Sequence, residues 1–191
     1  MNIGIAGEKG SFSEEAARSY CEKFNCTTEM ELKYLVSVEN VLTELENGAI
    51  DMGIFPIENS NGGVVIESVH AMAHHVFEIE RMFEIDVRHN LLVKPGTKAS
   101  DIRTITSHDQ ALKQCRMYLK RTWPSVELKE YADTAVAAKD LGEGTLSDET
   151  AVIAPAICAD LYGLEILEEG IQDLKFNYTV FIAARKGSQR G

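Results

Sequence analysis

Residues 2–17 read Asn2-Ile3-Gly4-Ile5-Ala6-Gly7-Glu8-Lys9-Gly10-Ser11-Phe12-Ser13-Glu14-Glu15-Ala16-Ala17. Ile3 and Ile5 alternate with small residues as in a strand, and Gly7 and Gly10 permit a tight turn. Ser11, with Glu14 three residues later, spells a capping box at a helix start. The same order of strand, turn and helix recurs along the chain. Strand-type runs fall at residues 3–6, 32–36, 52–57, 77–93 (two runs), 102–106, 126–131, 151–154 and 178–184. Amphipathic stretches open near Glu14, Ser37, Val64, Gln110, Thr134 and Pro155. Such alternation predicts an α/β fold, parallel sheet covered by helices. Pro95-Gly96-Thr97-Lys98 interrupts the pattern halfway, and a second irregular stretch spans residues 170–175. The expectation is two α/β lobes, residues 1–94 with 176–191 and residues 95–175, with a cleft between them.

Composition narrows the function classes. The chain has 191 residues, 45% hydrophobic and 26% charged with only 4 prolines, which fits a folded protein and excludes disorder, collagen and coiled coil. Thirty acidic against 19 basic side chains give a net charge of −11, which repels a phosphate backbone, so nucleic acid is not an expected partner. No apolar run approaches a membrane span and Met1 leads directly into a strand, so the expectation is a cytoplasmic protein without a membrane partner. Cys21, Cys26, Cys115 and Cys158 form no CxxC pair and read as reduced thiols. The acidic clusters at Glu14-Glu15 and at residues 78–84 and 165–169 read as solvated faces.

Four places join a strand end to a helix start or a final strand, where free backbone N–H groups and a helix dipole attract anions. The first, residues 7–15, carries Ser11 and Ser13 but neither GxGxxG nor a P-loop ending, so no nucleotide is implied. The second, Phe55-Pro56-Ile57-Glu58-Asn59-Ser60-Asn61-Gly62-Gly63, is the densest polar cluster. A turn alone needs Asn and Gly but not Glu58, which is expected to be partly desolvated with a raised pKa. In the third, Ser107 forms a capping box with Gln110, His108 lies beside the helix start, and Gln110 and Gln114 share a helix face. In the fourth, strand alternation places Asn177, Thr179 and Phe181 on one face and Tyr178 and Val180 on the other. His70 and His74 have a helical metal spacing but no HExxH frame, so no metal is expected, and Ser107-His108-Asp109 are too close in sequence to form a triad.

Taken together, residues 10–17, Pro56-Ile57-Glu58-Asn59-Ser60, residues 107–115, Leu161-Tyr162-Gly163-Leu164 and Asn177-Tyr178-Thr179-Val180-Phe181 resemble prephenate dehydratase, in order and spacing along almost the whole chain. The resemblance implies a two-lobed fold like type II periplasmic binding proteins. It also implies a cofactor-free lyase reaction on a small-molecule carboxylate: prephenate loses its ring hydroxyl as water and its ring carboxylate as carbon dioxide, giving phenylpyruvate in phenylalanine biosynthesis. By the same resemblance Thr179 is the catalytic threonine, with Glu58 and Ser107 beside it as catalytic candidates. Ser11, Ser13, Asn59, Ser60, His108, Gln110, Gln114, Asn177 and Phe181 are the substrate-binding candidates.

The chain departs from the family pattern at Val180, where the family has arginine, at Asp109, where it has proline, and at Glu8, where it usually has proline. Strand alternation points Val180 away from the Thr179 face. The chain ends soon after Phe181, so neither an attached ACT regulatory domain nor a preceding chorismate mutase is expected, and a homodimer is expected. Two alternatives follow from the missing arginine: a related enzyme with an altered outcome or arogenate as substrate, and a non-catalytic small-carboxylate binding module.

Overall fold

The computed structural model describes residues 1–24 and 29–187. In chain order the elements are β1 (Asn2–Ile5), α1 (Phe12–Lys23), β2 (Glu31–Tyr34), α2 (Val38–Asn47), β3 (Met52–Asn59), β4 (Gly63–Val64), α3 (Ile66–His74) and β5 (Phe77–Asp86). They continue as β6 (Asn90–Val93), a 3-10 turn (Ala99–Asp101), β7 (Thr104–Ser107), α4 (Asp109–Gln114), α5 (Arg116–Thr122), β8 (Glu127–Glu130), α6 (Thr134–Gly142), β9 (Thr150–Ala154), α7 (Ile157–Tyr162), β10 (Glu165–Glu168) and β11 (Tyr178–Lys186). Two compact α/β units result: Met1–Asp86 with Asn177–Gly191, and Val87–Phe176. Among the described residues no helix is long and apolar enough to cross a membrane.

The first unit is built on one sheet in the order β2-β1-β3-β11-β5, with β4 added to the end of β3. The β1 pairings with β2 and β3 are parallel, whereas β11 runs antiparallel to both β3 and β5. Insertion of the last strand between β3 and β5 therefore brings residues 177–181 beside Glu58 and Asn59, more than a hundred positions away in sequence. Val38, Val41, Leu42 and Leu45 recur at helical spacing on α2 and bury against Phe55, Ile182 and Ala184, which fixes the register of β3 and β11.

The second unit has a five-stranded sheet in the order β10-β6-β9-β7-β8, covered on both faces. Leu91, Ala151 and Ile153 meet Ala111, Leu119 and Trp123 of the α4–α5 side, while the intervening Leu92, Val152 and Ala154 meet Ala135, Ala138, Leu141 and Cys158 of the α6–α7 side. Alternation along β6 and β9 thus fills two cores, which is why residues 91–93 and 151–154 are all apolar.

Several sequence expectations are corrected. Pro95-Gly96-Thr97-Lys98 is a turn within the second unit, closed by Thr97 N–H on the Lys94 carbonyl, and the chain changes units at Asp86–Val87 instead. The acidic segment 165–168 is strand β10, paired with β6 and with Glu165 on an exposed face as expected, whereas Glu14, also expected on a solvated face, is fully buried. Cys21 is disulfide-bonded, Cys115 and Cys158 are free and buried, and Cys26 lies outside the described residues. The absence of a CxxC pair does not exclude a disulfide, which requires close Cα atoms rather than a fixed spacing.

Candidate active site

Within the first unit the richest polar cluster forms where β3 ends beside the start of β11. Asn59 ends β3 and its Oδ1 accepts hydrogen bonds from Asn61 N–H at 3.0 Å and Gly62 N–H at 2.7 Å. This side-chain turn is the reason Asn, rather than another polar residue, suits the strand end. Its amide nitrogen then faces the last strand, donating to Thr179 Oγ1 at 2.8 Å, to Asn177 Oδ1 at 3.0 Å and to the Tyr178 carbonyl at 3.3 Å. Asn61 Nδ2 also donates to Asn177 Oδ1, at 3.1 Å. Asn177 is fully buried and Thr179 is 8% exposed. Because Thr179 Oγ1 accepts from an amide that has no lone pair to return, its own hydroxyl proton is directed elsewhere, and the oxygen is polarised toward donation.

Alternation along β11 is as the sequence predicts through Phe181: residues 177, 179 and 181 are buried, while Tyr178 is exposed and Val180 half-buried. Phe181 is 1% exposed and stacks on Phe83 at 5.9 Å between ring centroids, which makes it a core residue rather than a surface for substrate. Ser60 accepts from Tyr178 N–H at 3.0 Å and closes the ladder. Glu58 is placed differently from its expectation: it is exposed and pairs across the sheet with Val180, so it shares Val180's face and not that of Thr179. The missed member of the cluster is Asn61, whose signal was present in the run Asn59-Ser60-Asn61-Gly62-Gly63.

The first glycine-rich stretch is a helix start with its acceptors occupied. Ser11 is the N-cap of α1, its side chain accepting from Glu14 N–H at 3.4 Å, and Ser13 donates to the Ala6 carbonyl at 2.6 Å. The reciprocal half of the capping box goes one residue upstream, Gly10 N–H donating to Glu14 at 2.8 Å. Burial would push the Glu14 carboxyl up, but hydrogen bonds from Gly10, Arg18 and Tyr34, with the Arg18 charge, outweigh it and hold the pKa below the usual carboxylate value.

In the second unit Ser107 stays in β7, fully buried, and donates to the Ile153 carbonyl at 2.6 Å. It is therefore not the expected N-cap; His108 takes that place, Nδ1 accepting from Gln110 N–H at 3.2 Å. His108 and Gln110 are both exposed. Gln114, half-buried at the end of α4, receives His89 Nε2 on its Oε1 at 2.7 Å. His89 had no sequence signal, being a lone histidine ahead of an apolar strand. The neighbouring Cys115 thiol is pushed up to about 12 by burial and by the Asp173 charge, which leaves it inert. Among the described residues no group of three or more His, Cys, Asp or Glu side chains is arranged to hold a metal, and His70 and His74 lie exposed on α3.

Comparison with known proteins bears on this arrangement. Arogenate dehydratase 1 of Petunia hybrida is 33% identical over 95% of this chain. A crystal structure described as prephenate dehydratase in complex with L-Phe, from Arthrobacter aurescens, superposes with a TM-score of 0.86 at 28% identity, covering 98% of this chain and 60% of that one. A structure described as a novel type of quorum quenching acylase, GqqA, superposes with a TM-score of 0.81 at 25% identity, covering 98% of this chain and 65% of that one. The chain spans 41–48% of the length of the curated relatives it matches. The prephenate dehydratase family model matches residues 3–189, and with the relatives at this identity it follows that the chain belongs to the prephenate dehydratase family.

Proposed function

We propose that this chain is a lyase that converts prephenate to phenylpyruvate, water and carbon dioxide, acting in the cytoplasm without a cofactor. The observation that carries the reading is the 2.8 Å hydrogen bond from Asn59 Nδ2 to Thr179 Oγ1. The reaction needs a proton on the departing ring hydroxyl while the C–O bond breaks, and the electron pair of the breaking ring–carboxylate bond then completes the aromatic ring. A threonine hydroxyl is a weak acid, but one whose oxygen accepts from a fixed amide is shifted toward donating its proton in the transition state, and solvent restores that proton afterwards. Asn59 and Gln114 are assigned to binding and orienting the dianion, where amide groups act against developing charge; Ser107 is not, because its buried hydroxyl donates its one proton to the Ile153 carbonyl. Glu58 is not assigned the proton relay, because it faces away from Thr179.

The fold alone does not decide the activity, since structures with this fold carry more than one described activity. Purified protein is mixed with prephenate at neutral pH, and phenylpyruvate is followed by absorbance in base with product mass determined. Sustained formation of phenylpyruvate, abolished by Thr179→Ala, is expected. A product retaining the ring oxygen, or full activity in Thr179→Ala, overturns the assignment. Arogenate is assayed in parallel because named relatives include arogenate dehydratases. A homodimer is the proposed solution state, checked by light scattering.

A further inference from the structure

His89 lies between β5 and β6, 3% exposed, and is held at three points within the second unit. Its backbone N–H donates to Gln172 Oε1 at 3.1 Å, its carbonyl accepts from Ile171 N–H at 2.9 Å, and its ring Nε2 lies 2.7 Å from Gln114 Oε1. The segment that fixes His89 also fixes Gln114, since Asp173 N–H donates to the Gln114 carbonyl at 2.8 Å. The Asp173 carboxylate in turn accepts from Met117 and Tyr118 N–H, each at 2.8 Å, at the start of α5. Residues 171–173 therefore clamp the histidine and the glutamine as one assembly.

The chemistry of the contact has a direction. A glutamine amide has an acceptor end and a donor end of nearly equal shape, and only a neighbouring group decides which points where. Burial holds the His89 ring below its usual pKa, so it is neutral near pH 7. A neutral ring facing a carbonyl oxygen through Nε2 must carry its proton there, leaving Nδ1 unprotonated. The ring donates, Gln114 Oε1 accepts, and the amide NH2 becomes the end turned from the ring. For a carboxylate substrate that orientation matters, because the flipped amide would set oxygen against oxygen.

We propose that His89 is a positioning residue for substrate binding: by donating from Nε2 it locks the Gln114 amide with its NH2 end toward a carboxylate of the substrate. This rests on the assignment of prephenate as substrate, and its test separates the two. Two-bond proton–nitrogen NMR of the five histidine rings, with His89 identified by loss of its signals in His89→Gln, reads the tautomer directly in the unaltered chain. The expected result is a neutral ring protonated at Nε2 from pH 6 to 8. An Nδ1-protonated ring, or a charged ring at pH 7, overturns the proposal whatever the enzyme does.

Kinetics then test the role. His89→Leu is expected to raise KM for prephenate about tenfold with kcat within about twofold, the pattern of lost uniform binding. His89→Gln, whose Nε2 reaches the same donor position, is expected to restore KM to within about threefold. In a Gln114→Ala background His89→Leu is expected to add less than about twofold, because the two residues act as a unit. An equal loss in both backgrounds, or a fall in kcat that glutamine does not rescue, means that His89 merely supports the fold. A chain that never turns over prephenate removes the substrate assignment, and the ring tautomer then decides the amide orientation alone.

Discussion

Asn59 Nδ2 stands 2.8 Å from Thr179 Oγ1, across the antiparallel pairing of β3 with β11, while its own Oδ1 is held by Asn61 and Gly62 N–H. The amide thus does two jobs with its two ends, and Asn59→Asp separates them. Aspartate keeps the acceptor that forms the turn but replaces the donor by an oxygen facing Thr179 Oγ1, Asn177 Oδ1 and the Tyr178 carbonyl. It then draws the Thr179 proton toward itself. Expected is a fall of about 100-fold or more in kcat, the lower range for a general acid, with folding retained by circular dichroism. Turnover near that of the unaltered chain would show that the hydroxyl does not need the amide.

Val180 occupies a row between two carboxylates: it pairs with Glu58 on β3 and with Glu84 on β5. Both glutamates are exposed, and directly paired residues share a face. Val180→Arg places a cation between them, each cross-strand pair contributing about 0.2–1 kcal/mol at low salt. At about 2–4 °C per kcal/mol for a chain of this size, Tm is expected to rise by a few degrees, the gain shrinking as salt is added. Because this row faces away from Thr179, kcat is expected to stay within about threefold. A large recovery or loss of turnover in Val180→Arg would assign the position to chemistry instead.

The strands and helices of the first unit are legible because their signals are local: Ile3 and Ile5 alternate, Ser37 caps α2 and Gly48 ends it in the left-handed conformation at φ 73°. The division of the helix at Cys115 into α4 and α5 is not, because its cap comes from Asp173, more than fifty residues downstream. Segment 165–168 hid as a charged run because its two glutamates bracket the pair Ile166-Leu167, too short a signal for a strand without its partner β6.

Site residues divide the same way. Burial of Asn177 and Thr179 followed from period two, yet their meeting with Asn59 depends on β11 entering between β3 and β5, a long-range choice no local pattern encodes. The role of Thr179 came from resemblance, not from periodicity. Glu58 was expected to be desolvated because an apolar strand precedes it, but alternation turns it to the exposed face. His89 had neither motif nor spacing to mark it, and only the packed second unit brings it to Gln114.

His75 caps the C-terminus of α3 and is bridged to α2 through both ring nitrogens, Nδ1 to Glu46 at 2.8 Å and Nε2 to Glu39 at 2.9 Å. Burial alone would lower its pKa, but the two carboxylates outweigh it and raise the value. A raised pKa in the folded state means that the contribution to stability is fully present below the unfolded value near 6.5 and is lost as pH rises through the folded value. Glu46 behaves oppositely: Val76 N–H and His75 hold it below the usual value, so its contribution persists above pH 4.5 and fades on acidification. Urea unfolding is therefore expected to show a loss of stability above about pH 6.5 that His75→Gln flattens. An unchanged pH profile in that variant would mean that the bridge adds nothing.

Gly142 sets two effects of opposite sign against each other. It is the last residue of α6, where alanine gains about 0.8–1.0 kcal/mol of helix propensity over glycine. A Cβ there would lie 2.5 Å from the Tyr162 carbonyl oxygen and 2.9 Å from Tyr162 Cβ, at the end of α7. The nearest obstacle is backbone, not the tip of a flexible side chain, so α7 has to move away from α6 and open the buried layer of Ala138, Leu141 and Cys158. Overpacking of this kind costs about 1–3 kcal/mol, which exceeds the propensity gain over most of its range. Gly142→Ala is expected to lower Tm by a few degrees, measured by calorimetry, with KM for prephenate unchanged because the contact lies on the α6–α7 side of the sheet and Gln114 on the α4–α5 side. A rise in Tm would mean that α7 yields without cost and that propensity decides the position.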